Sequence, residues 1–138
     1  MIPTGIYTTN ATHLSDDLKR AAEMAELEFV ELDGRRIFSD FDFFAEVQRA
    51  FGIQSSRRIA NWDDMEDYLD ELNWQLTRGY FVAFNDYELF HRAAEASFFL
   101  ALDLFEIITA SWSARDLPMI VVLADPEGPL TGIDLFPS

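Results

Sequence analysis

The 138-residue chain has no cysteine. That removes both a disulfide framework and a thiol nucleophile. Basic residues are scarce: 10 Lys and Arg stand against 25 Asp and Glu, a formal charge of −15. So acidic a chain is poorly suited to nucleic acid or to an anionic membrane, and it steers toward a basic protein partner. A Gly-rich phosphate loop is missing, and no run has the spacing of an EF-hand loop. No apolar run reaches transmembrane length. Glu95, Asp103 and Glu106 interrupt the longest candidate, which reads as a buried helix. The opening MIPTGIYTTN has neither a basic n-region nor an apolar h-region, so a signal peptide is not expected and the location is expected to be cytoplasmic. The Asn10-Ala11-Thr12 sequon then has no secretory context. His13 and His91 stand far apart, which favours ordinary surface or capping roles over metal ligation. No cofactor, metal or catalytic constellation is expected, and so no enzyme.

What is present is a core. Apolar residues make up 49% of the chain and thirteen are phenylalanine, which argues against disorder and for one domain over 1–138. Ile6–Thr9 is a short candidate strand, and Ser15–Glu26 a helix with Ser15 as its cap. Glu28–Leu32 reads as a strand that stops at the Asp33-Gly34 turn. Ser39 or Asp40 can cap a helix running to Phe51, burying Phe41, Phe44 and Phe51, with Gly52 as its stop. Gln54–Ala60 reads as a loop carrying Arg57 and Arg58. Tyr80–Phe84 is a second strand, Arg92–Trp112 a long helix, and Pro118–Ala124 a continuously apolar strand suited to the centre of a parallel sheet. Asp125-Pro126-Glu127-Gly128 is a turn. Strands separated by helices imply right-handed crossovers and a small parallel α/β sheet.

The segment Asn61–Trp74, NWDDMEDYLDELNW, is the one that points to function. It holds six carboxylates and no basic residue. Trp62, Met65, Leu69 and Leu72 fall on one stripe at about 100° per residue, with Asp63, Glu66, Asp67 and Asp70 opposite. Solvated acidic faces are common on helices, and acidic residues suit a helix start. The density is what stands out. Like charges at i,i+4, such as Asp63/Asp67 and Asp67/Glu71, repel by about 0.2–0.5 kcal/mol each, and no lysine is interspersed. Such a face can compete with phosphate for a basic protein. Trp74 just beyond it reads as core rather than interface.

The order of these elements resembles the barstar family from about Phe29 to Leu123. The most specific part is Asn61-Trp62-Asp63-x-x-x-Asp67-x-Leu69, similar to the family's Asn-Trp-Asp-Ala-Leu-x-Asp-x-Leu. Leu32-Asp33-Gly34 and the ending Trp112…Pro118…Val122-Leu123 resemble family patterns too. The resemblance implies an α/β fold: a small parallel sheet of three core strands flanked by helices. Ile6–Thr9 is a candidate fourth strand, residues 1–26 an N-terminal strand–helix extension and 125–138 a tail.

Family members are intracellular inhibitors of a secreted bacterial ribonuclease, whose basic active site they plug with an acidic helix and the loop before it. The resemblance therefore implies a basic protein partner, a nuclease toxin, and a chain that is monomeric when free. Asp63 and Asp67 match the helix carboxylates aimed at the nuclease. Asp70, Asp64, Glu66, Glu71 and Arg57 complete the expected partner-binding set. Four departures stand out. Arg57 replaces a contacting tyrosine and Ile59 a glycine, Glu66 replaces a tryptophan, and the family's acidic residue late in the long helix maps near Ala110 or Ser111. The alternative reading is an interaction module of this fold, or an immunity protein against a toxin that is not a ribonuclease.

Overall fold

The structure is a computed structural model that describes residues 4–9, 15–52, 59–71, 78–124 and 133. In chain order the elements are β1 (Gly5–Thr9), α1 (Ser15–Met24), β2 (Glu28–Asp33), a 3-10 turn (Gly34–Arg36), α2 (Asp40–Phe51), α3 (Trp62–Asp70), β3 (Tyr80–Asn85), α4 (Tyr87–Ala93), α5 (Glu95–Ala114) and β4 (Met119–Ala124). The four strands form one parallel sheet in the order β1-β4-β3-β2. It is the α/β architecture that the resemblance implies, with β1 added at the edge beside β4.

Both faces of the two central strands are covered, which is why YFVAF and MIVVL are apolar without alternation. On one face Val82, Phe84, Val121 and Leu123 meet the buried sides of α2, α3, α4 and α5. On the other, Phe81, Ala83, Ile120 and Val122 meet Leu18 and Ala22 of α1, and Tyr7 of β1 closes this smaller core. β1 and α1 thus supply the cover for a face that would otherwise stand in water.

Gly34 is required by close approach. A Cβ there would lie 2.3 Å from the Asp86 carbonyl oxygen. Asp33 caps the turn by accepting from the Arg35 N–H, and the Arg35 guanidinium beside it holds its carboxyl below the ordinary value. Gly52 ends α2 in the left-handed conformation, φ 65°.

Three expectations need correction. Phe41 does not enter the core. It is 67% exposed, and Phe43, fully buried, takes the inward place beside Phe44. The long helix is two, broken at Ala94, because Tyr87 and Phe90 of α4 fold back to stack on and edge against Phe98 of α5. Tyr68, left off the apolar stripe, is buried. Leu72, Trp74, Arg57, Arg58, His13, the Asn10 sequon, the Asp125–Gly128 turn and nearly all of the tail lie outside the described residues. Glu95–Ala114 is long and apolar enough to cross a membrane by length and composition, but here its Phe98, Leu104, Phe105 and Trp112 are buried in the larger core.

Candidate partner-binding site

Helix α3 is fixed at its start by local chemistry. Asn61 is extended (φ −153°, ψ 177°), and its Oδ1 accepts the Asp64 N–H at 2.8 Å. The Asp64 carboxylate reaches back to accept the Ala60 N–H at 3.0 Å. One orphan donor of the first turn and the N–H just before the cap are thereby satisfied reciprocally. Asp64, expected as a rim charge toward a partner, is occupied in this cap. The signal was in the sequence, since Asn-x-x-Asp is a capping pattern.

Met65, Tyr68 and Leu69 face the core. Trp62 is half-buried, stacked on Phe43 at 5.4 Å between centroids and edge-on to Phe44 at 5.0 Å. Its Nε1, and the hydroxyl of Tyr68, are buried with no hydrogen-bond partner among the described residues. Burial pushes the Tyr68 phenol up to about 12, with nearby Tyr80 adding to the shift.

The far end of α3 is fixed by tertiary contacts. Trp112 Nε1 donates to the Leu69 carbonyl at 3.2 Å. Ser111 donates to the Asp70 carboxylate at 2.6 Å, and Arg115 donates to the same oxygen at 2.9 Å. The Arg115 guanidinium also lies 5.7 Å from the centre of the Trp112 ring. Asp70, expected to project into water, is therefore held by α5. Arg115 and Ser111 lie 45 and 41 residues away in sequence, so no local pattern announces them.

What remains outward is Asp63 and Asp67, one turn apart and both exposed, their carboxylates without a hydrogen bond or ion pair to any described residue. Glu66 is half-buried beside them and Glu71 is exposed at the C-cap. The structure thus brings Asp63, Glu66 and Asp67 together as an outward acidic surface, and it withdraws Asp64 and Asp70 into structural bonds. Arg57 lies outside the described residues. Among those residues, no group of three or more His, Asp or Glu is placed to hold a metal ion. Two carboxylates in water on a fixed helix can attract and hydrogen-bond cationic groups, which is electrostatic docking chemistry.

Residues 27–124 match the family model described as Barstar (barnase inhibitor). No curated protein matches the chain in sequence. Among solved structures, a chain from the structure of Drosophila ORC bound to DNA is similar, with a TM-score of 0.59 and 12% identity over 88% of this chain and 32% of that one. This chain spans about a third of the length of that one, and at such identity the likeness is one of fold. The matched span contains β2 through β4, and with them the capped acidic helix α3, its anchors on α5 and the strands beneath. The chain belongs to the barstar (barnase inhibitor) family.

Proposed function

We propose that this chain is a cytoplasmic inhibitor, monomeric when free and without catalytic activity of its own, that binds a basic nuclease through α3 and blocks its active site. One observation carries the reading. Asp63 and Asp67 are exposed, and unpaired among the described residues, on a helix whose two ends are both fixed, within a family whose members inhibit a ribonuclease. A preformed pair of carboxylates loses little conformational freedom on binding, so its charge is available to a cationic cleft. The formal charge of −15 adds long-range steering.

The test is titration of purified barnase with this chain, following RNA cleavage and association kinetics. Truncating one partner of a desolvated charge pair costs ~2–5 kcal/mol, a range to which mutations at the barnase–barstar interface themselves contributed. Asp63→Ala and Asp67→Ala should each lose binding on that scale, chiefly through faster dissociation. Asp16→Ala, an exposed carboxylate on α1, should change only the salt-dependent association rate. Equal small losses for all three would reduce the effect to bulk charge. Full inhibition by the Asp63→Ala/Asp67→Ala double variant would move the surface elsewhere.

A second reading has its own support. Glu66 stands where the type inhibitor has tryptophan, and Ser111, near the family's late acidic position, is turned inward onto Asp70. Those differences favour an immunity protein for a toxin other than a ribonuclease. Undiminished RNA cleavage under saturating chain, with binding retained, would select it.

A further inference from the structure

Two large apolar side chains stand in water at the start of α2. Phe38 is 61% exposed and Phe41 67%. They flank the N-cap Ser39, whose hydroxyl accepts the Asp42 N–H at 3.2 Å, while the Asp42 carboxylate accepts the Phe38 N–H at 3.0 Å. This closed cap fixes the backbone of both phenylalanines. Folding alone does not explain them, because the core beneath is already filled by Phe43 and Phe44. Their position is informative. Phe41 packs edge-on against Phe44 at 6.1 Å, and Phe44 edge-on against Trp62 at 5.0 Å. Trp62 is the first residue of α3, next to Asp63. An aromatic row therefore runs from the exposed ring of Phe41 through the buried ring of Phe44 to Trp62, at the start of the helix that carries the outward carboxylates.

Single exposed apolar residues are common and need no account. An exposed ring tied through packed rings to the start of an acidic helix, with a second exposed ring beside it on the same cap, is the composition of an interface: aromatic anchors beside charge that sets orientation. We infer that Phe41, with Phe38 beside it, is the apolar anchor of the same docking surface as Asp63 and Asp67, and that its occupant is a basic nuclease with an apolar wall next to its cationic cleft. This rests on the inhibitor reading above. Charge complementarity selects that occupant over a second copy of this chain, since two copies would bring acidic faces of a −15 protein together. The division of labour follows from the chemistry. Carboxylates act at distance and are screened by salt, whereas a phenyl ring acts only in contact and is not.

The experiment uses the full chain with barnase as probe, measuring association and dissociation rates at low and at high salt. Phe41→Ala should speed dissociation about tenfold or more and leave the association rate and its salt dependence unchanged. Asp67→Ala should lose binding as well, with the loss in part salt-dependent. Met24→Ala, an exposed apolar side chain at the end of α1 on the other face of the sheet, should change neither rate by more than about twofold. Phe41→Ser, with thermal unfolding measured alongside, separates lost contact from lost fold, because so exposed a ring contributes little to stability. If Asp67→Ala loses binding and Phe41→Ala does not, the inhibitor reading stands and this extension of it is overturned. If Phe41→Ala loses binding and Asp67→Ala does not, or if the unaltered chain does not bind barnase, the reading and the extension fall together. A concentration-dependent dimer of the free chain abolished by Phe41→Ala would assign the ring to a second copy instead.

Discussion

Helices α2 and α3 begin in the same way and end with different fates. Each starts at an extended polar residue, Ser39 or Asn61, that accepts the N–H three residues on. Each then returns an aspartate, Asp42 or Asp64, to the N–H just before the cap. Both lie on the same side of the sheet and pack against each other through Phe43, Phe44 and Trp62. Their charges diverge. On α2 the carboxylate of Glu46 is buried, accepting the Asp33 N–H at 2.7 Å and pairing with Arg49 on its own helix. On α3, Asp63 and Asp67 face water without a cation among the described residues. The same local grammar thus makes one helix a strut and the other a display. What differs is whether a backbone donor or a guanidinium stands opposite.

The comparison can be broken at the aromatic seam. Phe43 is fully buried and its ring meets those of Trp62, Phe84, Phe90 and Phe105, whereas Trp62 is half-buried. Phe43→Ala should destabilise by ~3–5 kcal/mol in urea unfolding, and Trp62→Ala by less, because part of the indole keeps its water in either state. Equal losses would mean that the two helices share one core position rather than a gradient from inside to outside.

A pH measurement sharpens the contrast between the inner faces, Tyr68 on α3 against Glu46 on α2. An unfolded tyrosine ionises near 10, while the buried Tyr68 is held at about 12. Between those values the unfolded chain has lost a proton that the folded chain retains. Stability from this group is therefore full below pH 10 and falls by about 1.4 kcal/mol per pH unit as pH rises toward 12. Tyr68→Phe should flatten that slope and leave only the part due to Tyr80, which burial also raises. At pH 7 the same variant should be as stable as the unaltered protein or more so, since it removes a buried hydroxyl that has no partner among the described residues.

Removing Glu46 should matter more than removing either outward carboxylate. Glu46→Ala leaves the Asp33 N–H without its acceptor and should cost ~1–3 kcal/mol. Asp63→Ala should stay within about 0.5 kcal/mol of the parent in the same assay. A large loss at Asp63 would show that α3 is a strut as well.

The smallest expected difference lies in the caps. Ser39→Ala and Asn61→Ala should each lose ~1 kcal/mol, alike because the bonds are alike. Unequal losses would trace to the neighbours that hold each helix start in place, not to the caps themselves.

Much of this molecule was legible in its residues. The continuous apolar runs at Tyr80–Phe84 and Pro118–Ala124 named the central strands, and Gly52 and Asn61 marked a helix end and a helix start. These signals are local: hydrogen bonds closed within four residues, and side-chain periods of two and 3.6. The phase of α2 was not legible. Phe41, Phe43 and Phe44 sit within one turn, so nothing in their spacing says which ring faces the sheet, and the placement of the helix against β2 and Trp62 decided it. The break at Ala94 carries no breaker residue and follows from α4 folding back onto Phe98. Likewise the spacing on α3 set Asp63, Glu66, Asp67 and Asp70 on one face, and only the family resemblance singled out Asp63 and Asp67. Only the fold, by bringing Ser111 and Arg115 of the α5 end against Asp70 and turning Asp64 into the cap, separated the charges that hold the helix from those it presents. Charge is fixed by composition, but whether it is neutralised depends on what stands within a few ångströms, and that is a property of the packed chain.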